Sequence, residues 1–199
     1  MMKLWMLGVG VAMAAGAAFG QAAEASLSVG RSIFTDKNIG DLGVQGSVRE
    51  TLKVGDGMRL TARFSMNSWR FLGHEFGYGF ERSSLDFASS GKTGMNIHQG
   101  FYDFVAHATP EGVSIRPFVC AGGGFSSFFP PGTSAFSGNG FTKFSYNYGA
   151  GVKVKLSPIY GVRLDVRDYV SGKPFGDFIP NVKGQLHNIE VSAGIAILF

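Results

Sequence analysis

Residues 188–199 read NIEVSAGIAILF, and every second one is apolar: Ile189, Val191, Ala193, Ile195, Ile197 and Phe199. Asn188, Glu190, Ser192, Gly194, Ala196 and Leu198 stand between them. Period two marks a strand with two unlike faces. The end of a soluble domain usually frays in polar residues, whereas this alternation runs on to an aromatic. Such a strand needs a sheet at both edges and an apolar medium over one face.

The same alternation recurs upstream. In FTKFSYNYGAGVKVKL (141–156), Phe144, Tyr146, Tyr148, Ala150, Val152, Val154 and Leu156 share one face, and Lys143, Ser145, Asn147, Gly149, Gly151, Lys153 and Lys155 share the other. A strand of about 14 residues exceeds the five or six usual in globular sheets. It suits a tilted membrane span, which takes about 9–11 residues through the hydrocarbon. MRLTARFSMN (58–67) sets Leu60, Ala62, Phe64 and Met66 against Arg59, Thr61, Arg63, Ser65 and Asn67, and GHEFGYGFE (73–81) sets Phe76, Tyr78 and Phe80 against Glu75, Gly77, Gly79 and Glu81. HQGFYDFVAHA (98–108) follows the rule less cleanly. GVRLDVRDYV (161–170) keeps it until Asp168, where a bulge is expected. VSIRPFVCAGGGF (113–125) carries Pro117, which donates no ladder bond and predicts a weak or bulged strand there.

Composition agrees. A chain of 199 residues is one domain, and with 16% charged and 14% aromatic residues it is not disordered. Thirty Gly and 19 Phe at short spacing point to an all-β protein. The net charge of +4 comes without a basic run, so nucleic acid is not an expected partner. A single cysteine, Cys120, excludes an intrachain disulfide.

Alternation alone also fits a soluble sandwich with its apolar face inward. Two features favour the inverse, with lipid against the apolar face. First, the polar faces carry both signs of charge at mid-strand: Arg59, Arg63, Glu75, Glu81, Asp103, Arg116, Lys153, Lys155, Arg163, Asp165, Arg167 and Glu190. An ion-paired interior accounts for them. Second, TPEG (109–112) and SPIYG (157–161) are tight turns, whereas SSFFPPGTSAFSGNG (126–140) and SGKPFGDFIPNVKGQ (171–185) are long. Short turns on one side and long loops on the other characterise an outer-membrane barrel.

The N-terminus suits export. MMKLWMLGVGVAMAAGAAFGQAAEA has one early positive charge, Lys3, then an apolar run to Gly20 and small residues that permit cleavage after Ala22 or Ala25. This predicts a signal peptide over 1–23 and a barrel domain over 24–199.

The exported chain beginning SLSVGRSIF (26–34) and closing on alternating apolar residues resembles the small, opacity-type outer-membrane β-barrels typified by outer membrane protein A. The resemblance spans the mature chain. It implies an antiparallel up-and-down transmembrane β-barrel of eight strands in the outer membrane of a Gram-negative cell. Ala193, Ile195, Ile197 and Phe199 then match the closing signal that the family's assembly machinery reads. Implied partners are outer-membrane lipid, lipopolysaccharide, that machinery, and a ligand outside the cell at the loops. The peptidoglycan-binding domain that some members append is not expected. Nine segments compete for eight places. The extra one, LGVQGSVRETLKV (42–54), is best read as a hairpin arm in an enlarged first loop. The alternative makes it the first spanning strand and leaves 25–34 as a strap.

The chemical motifs are weak. SSGKTG (89–94) lacks the earlier Gly of a phosphate loop, since Asp86 stands there. His74-Glu75 has no second His at the zinc-protease spacing. His187, Glu190 and Ser192 do not share one face, against a hydrolytic triad. Neither a catalytic residue nor a cofactor or metal is expected. Phe128, Phe129, Phe136, Phe141, Phe175 and Phe178 flank the long loops and read as an interfacial girdle. The expected role is structural or surface-interacting, with an ion-paired plug inside and loops 128–141 and 171–186 exposed. The alternative is a narrow anion-favouring pore lined by Lys153, Lys155, Arg163 and Arg167.

Overall fold

The computed structural model describes residues 23–43, 49–87, 91–133, 140–176 and 184–199. They form β1 (Ala23–Phe34), β2 (Asn38–Gly43), β3 (Arg49–Asn67), β4 (Leu72–Phe87), β5 (Gly91–His107), β6 (Ile115–Phe129), β7 (Phe141–Lys155), β8 (Tyr160–Gly172) and β9 (Gln185–Leu198). All neighbours are antiparallel. β1 pairs with β9 from Glu24↔Leu198 to Phe34↔Asn188, and with β3 from Ala23↔Met66 to Ser32↔Gly57. The ring β1, β3, β4, β5, β6, β7, β8, β9 therefore closes on itself, an eight-stranded barrel. The expected leader lies, apart from Ala23, outside the described residues.

The ninth segment is not a stave. Its ends belong to β2 and to the start of β3, which pair with each other from Asn38↔Lys53 to Gly43↔Arg49 beyond the ring. A bulge in β3 between Gly55 and Met58 separates this arm from the barrel. Asp56, inside the bulge, accepts the Phe34 N–H at 3.1 Å and the Lys37 ammonium at 2.9 Å. The Val54 N–H donates to the Lys37 carbonyl at 2.8 Å, closing the corner. The extra residue inverts the alternation. Arg59, Thr61, Arg63 and Ser65 point inward on one side of it, Leu52 and Val54 on the other.

Side chains are sorted opposite to a soluble barrel. Glu75, Asp103 and Arg163 are 0% exposed, while Phe144 and Ile195 are 74% and 67% exposed. Apolar groups outward and charges inward fit hydrocarbon outside.

Two local expectations are corrected. No bulge occurs at Asp168, since β8 pairs without a register shift with both neighbours. Asp168 lies on the outer wall, where the Tyr148 hydroxyl donates to it at 2.9 Å and His187 Nδ1 pairs with it at 2.7 Å. Those partners permit a charge in an apolar row. Nor does Pro117 weaken β6, since it pairs in register with Val152. Its carbonyl accepts the Ala108 N–H at 2.8 Å, on the side where β5 has already ended, so no ladder bond is lost there.

The glycines on the inner wall make room for large groups. A Cβ at Gly77 would meet the Phe101 ring, and one at Gly79 the Arg59 guanidinium, whereas Gly94 has nothing within 4 Å. Gly77→Val should therefore lower stability by about 1–3 kcal/mol through overpacking. Gly94→Val should leave the urea midpoint of the detergent-folded protein much closer to wild type.

Candidate functional site in the barrel lumen

In the ring, β4 and β8 stand on opposite walls, and the charges of the lumen meet between them. Glu75 of β4 accepts from Arg163 Nη1 at 2.5 Å and from Arg167 Nη2 at 2.6 Å, both on β8. Arg63 Nε lies 3.7 Å from the same carboxylate, and the Ser65 hydroxyl donates to it at 2.7 Å. Asp165 holds the two β8 arginines at 2.7 and 3.2 Å. Arg167 Nη1 donates to Asp103 on β5 at 2.5 Å, and Asn147 of β7 donates to the other oxygen of that carboxylate at 2.8 Å.

A second centre forms around Glu190 of β9. Arg59 Nε is 3.0 Å away and Arg63 Nη2 donates at 2.7 Å. The hydroxyls of Tyr169 and Ser192 donate at 3.0 and 2.6 Å. Glu81 accepts from Asn188 at 2.7 Å and lies 3.9 Å from Arg59. Ring faces complete the packing, with the Arg59 guanidinium 4.1 Å from the centre of Tyr169 and that of Arg163 4.8 Å from Phe118.

Of the twelve charges expected inside, Arg59, Arg63, Glu75, Glu81, Asp103, Lys153, Arg163, Asp165, Arg167 and Glu190 line the lumen. Arg116 is half-buried at the short-turn rim. Lys155 must be corrected. It shares a face with Lys153 but ends β7, and the side chain is exposed where the wall stops. Glu24 was missed, although it extends the polar row Ser26, Ser28 and Ser32 of β1. It is buried and pairs with Lys153 at 2.9 Å. Ala193, Ile195, Ile197 and Phe199 all lie on the outer wall. The Phe199 N–H donates to the Ala23 carbonyl at 2.8 Å. Ser192 and Glu190 face the lumen while His187 pairs with Asp168 outside, so the three do not meet.

The long-loop end of the lumen holds an apolar core that the sequence reading did not anticipate. Phe34, Ile39, Leu52, Val54, Leu85, Met95, Ile97, Phe128, Phe175 and Leu186 pack there, with Phe87 and Phe141 against them. Phe128, Phe141 and Phe175 are thus not part of an interfacial girdle, and Phe129 packs edge-on to His98. Phe136 and Phe178 lie outside the described residues. Phe175 adopts φ 68°, a costly conformation for a non-glycine residue, which aims its ring inward. Lys173 beside it spans to the corner after β1, 2.7 Å from Asp36 and donating to the Asn38 carbonyl at 2.6 Å.

A closed barrel with a charged lumen and an apolar exterior defines a class, and the chain has the architecture of the small eight-stranded outer-membrane β-barrels. No family model matches it, and no curated protein sequence does. Solved structures do match in fold. Neisserial surface protein A is 13% identical with a TM-score of 0.59, over 89% of this chain and 96% of that one. The outer membrane protein OprG from Pseudomonas aeruginosa is 11% identical with a TM-score of 0.61, over 89% and 95%. The outer membrane protein AlkL, solved in lipid bilayers, is 18% identical with a TM-score of 0.56, over 90% and 89%.

Glu75→Gln removes one of the two carboxylates that Arg163 and Arg167 share, leaving them Asp165, and should cost about 3–5 kcal/mol in urea unfolding. The Lys173 hydrogen bond and charge hold the Asp36 carboxyl below its ordinary range. A depressed folded value means that this contact is intact above the unfolded value of about 3.9 and is lost as pH falls through the folded one. Amide chemical shifts around Lys173 should therefore stay constant from pH 7 to 5 and move only below about 4.

Proposed function

We propose that the chain is an integral outer-membrane barrel with a structural or surface-interaction role, its lumen plugged by ion pairs and its long loops offered outside the cell. The observation that carries this reading is Glu75 on β4, bonded across the lumen to Arg163 and Arg167 on the facing wall. An eight-stranded ring is just wide enough for side chains to fill, and the apolar core stacked beside the ion pairs adds a second obstruction. On this reading the contact surfaces lie within the expected loops 128–141 and 171–186, less Phe128, Phe141, Phe175 and Leu186, which pack in the inner core, and the role is mechanical and adhesive, with no catalytic residue assigned. The partners are outer-membrane lipid, lipopolysaccharide, the machinery that reads the closing strand, and a ligand outside the cell.

The competing pore reading rests on an excess of basic lining. Among the described residues, five buried cations (Arg59, Arg63, Lys153, Arg163 and Arg167) face six buried carboxylates (Glu24, Glu75, Glu81, Asp103, Asp165 and Glu190). That balance favours the plug.

The leader enters the same reading. Cleavage after Ala25 would remove Glu24 and leave Lys153 buried without its nearest carboxylate, so cleavage after Ala22 is favoured. Amino-terminal sequencing of the exported protein should begin at Ala23.

Conductance in a planar lipid bilayer tests the plug. Insertion is verified by the gel shift between boiled and unboiled samples. The expected result is no current step above background. Reproducible anion-favouring steps from the wild-type protein would replace the plugged reading by the pore.

A further inference from the structure

The outer wall is uneven. At the short-turn end of β4, β5 and β6, the registers place Leu72, Ala106 and Val119 in one row and His74, Phe104 and Ala121 in the next. The two alanines leave a floor between larger walls, and the turn from β3 to β4 brings Trp69 over it. The resulting groove is about 460 Å³, within the range of small-molecule sites. Reciprocal Trp69–Leu72 backbone bonds of 3.0 and 3.2 Å fix the turn. Trp69, 76% exposed, therefore stands out as a wall of the groove.

The turn that carries this wall also carries a cation. Arg70 follows Trp69 on the same turn, is exposed, and sits 5.8 Å from the centre of the Phe71 ring. Among the described residues no carboxylate is within ion-pair distance of it. An indole and an arginine where the strands end have the chemistry of a membrane interface.

We propose that this groove holds one acyl chain of a glycerophospholipid whose phosphate pairs with Arg70, in the leaflet at the short-turn end. The inference rests on the membrane-barrel reading and adds to it a lipid held in place. Wall and floor supply apolar contact to the chain, and Arg70 supplies charge complementarity to the headgroup. An acidic headgroup, with a full net charge, is preferred over a zwitterionic one.

Trp69 is its own reporter, because Trp5→Phe in the full chain leaves it as the sole tryptophan of the two. That protein is reconstituted in phosphatidylcholine vesicles and titrated with bromine-labelled phosphatidylglycerol or phosphatidylcholine, which quench indole on contact. The reference is Trp5→Phe/Trp69→Phe/Leu164→Trp, which reports from an exposed position on β8. Trp69 should be half-quenched by the brominated phosphatidylglycerol at about one-fifth of the mole fraction the reference needs, the advantage of one interfacial arginine. Arg70→Gln should bring the two lipids level, and Ala106→Phe, which fills the floor, should reduce Trp69 to the reference. If Ala106→Phe fails the gel-shift test of folding, Ala121→Leu fills the same floor. Equal quenching at both positions by both lipids would overturn the site and leave the membrane barrel standing. So would a Trp69 that is shielded from both lipids while the reference is quenched, the signature of a second copy on this face. No quenching at either position would overturn the membrane reading itself.

Discussion

In hydrocarbon every backbone N–H and C=O must find a partner within the chain, because water is absent to supply one. An open sheet fails that demand at its two edges. Here β1 meets it by pairing on both sides, with β9 along one edge and β3 along the other. Everything else follows from that closure. A closed ring of eight has a lumen only as wide as its side chains, so the inner faces must fill it. The period of two then leaves the other face of every strand to the surrounding medium.

The lumen is filled in two different ways, and the bulge in β3 divides them. Toward the short turns, long charged chains reach across to the facing wall. Burying ions is costly, and the cost is offset only when each charge has partners and further hydrogen bonds. Glu75, Asp103 and Glu190 satisfy this with arginines, hydroxyls or an amide from several strands at once. Toward the loops the fill is hydrophobic, and Gly55 to Met58 is where β3 changes phase to deliver Leu52 and Val54 to it. Asp56 ties the changeover to Phe34 and Lys37, and Lys173 brings the loop after β8 to the same corner. The arm, the corner and that loop are therefore joined by charge as well as by packing.

The exterior is not a plain apolar wall either. Asp168, Tyr148 and His187 make a polar cluster on it, tolerated because each finds a partner in the cluster. Nearer the short turns, small side chains open a groove close in the chain to Arg70, which has no ion-pair partner among the described residues. Both features lie on the outer wall, and neither is visible in a count of apolar residues.

What the sequence determined by itself is what depends on period two. Ile195 and Ile197 alternate with Gly194 and Ala196, and Phe144 and Tyr146 with Ser145 and Asn147, so strand identity and the two unlike faces of each strand could be read without coordinates. The two faces of a strand are a local property, fixed at each Cα. What tertiary structure alone decided is who faces whom. Phe128, Phe141 and Phe175 looked like girdle residues beside the loops, yet β6 runs on to Phe129 and β7 starts at Phe141, so Phe128 and Phe141 keep the inward phase of their strands, and the left-handed backbone at Phe175 adds its ring to the same core. Lys155 shares the face of Lys153 but lies past the wall's end, and Asp168 keeps its phase outside because Tyr148 and His187 come from other strands to meet it. Register, barrel closure and strand ends are relations between distant segments, and spacing along one strand does not encode them.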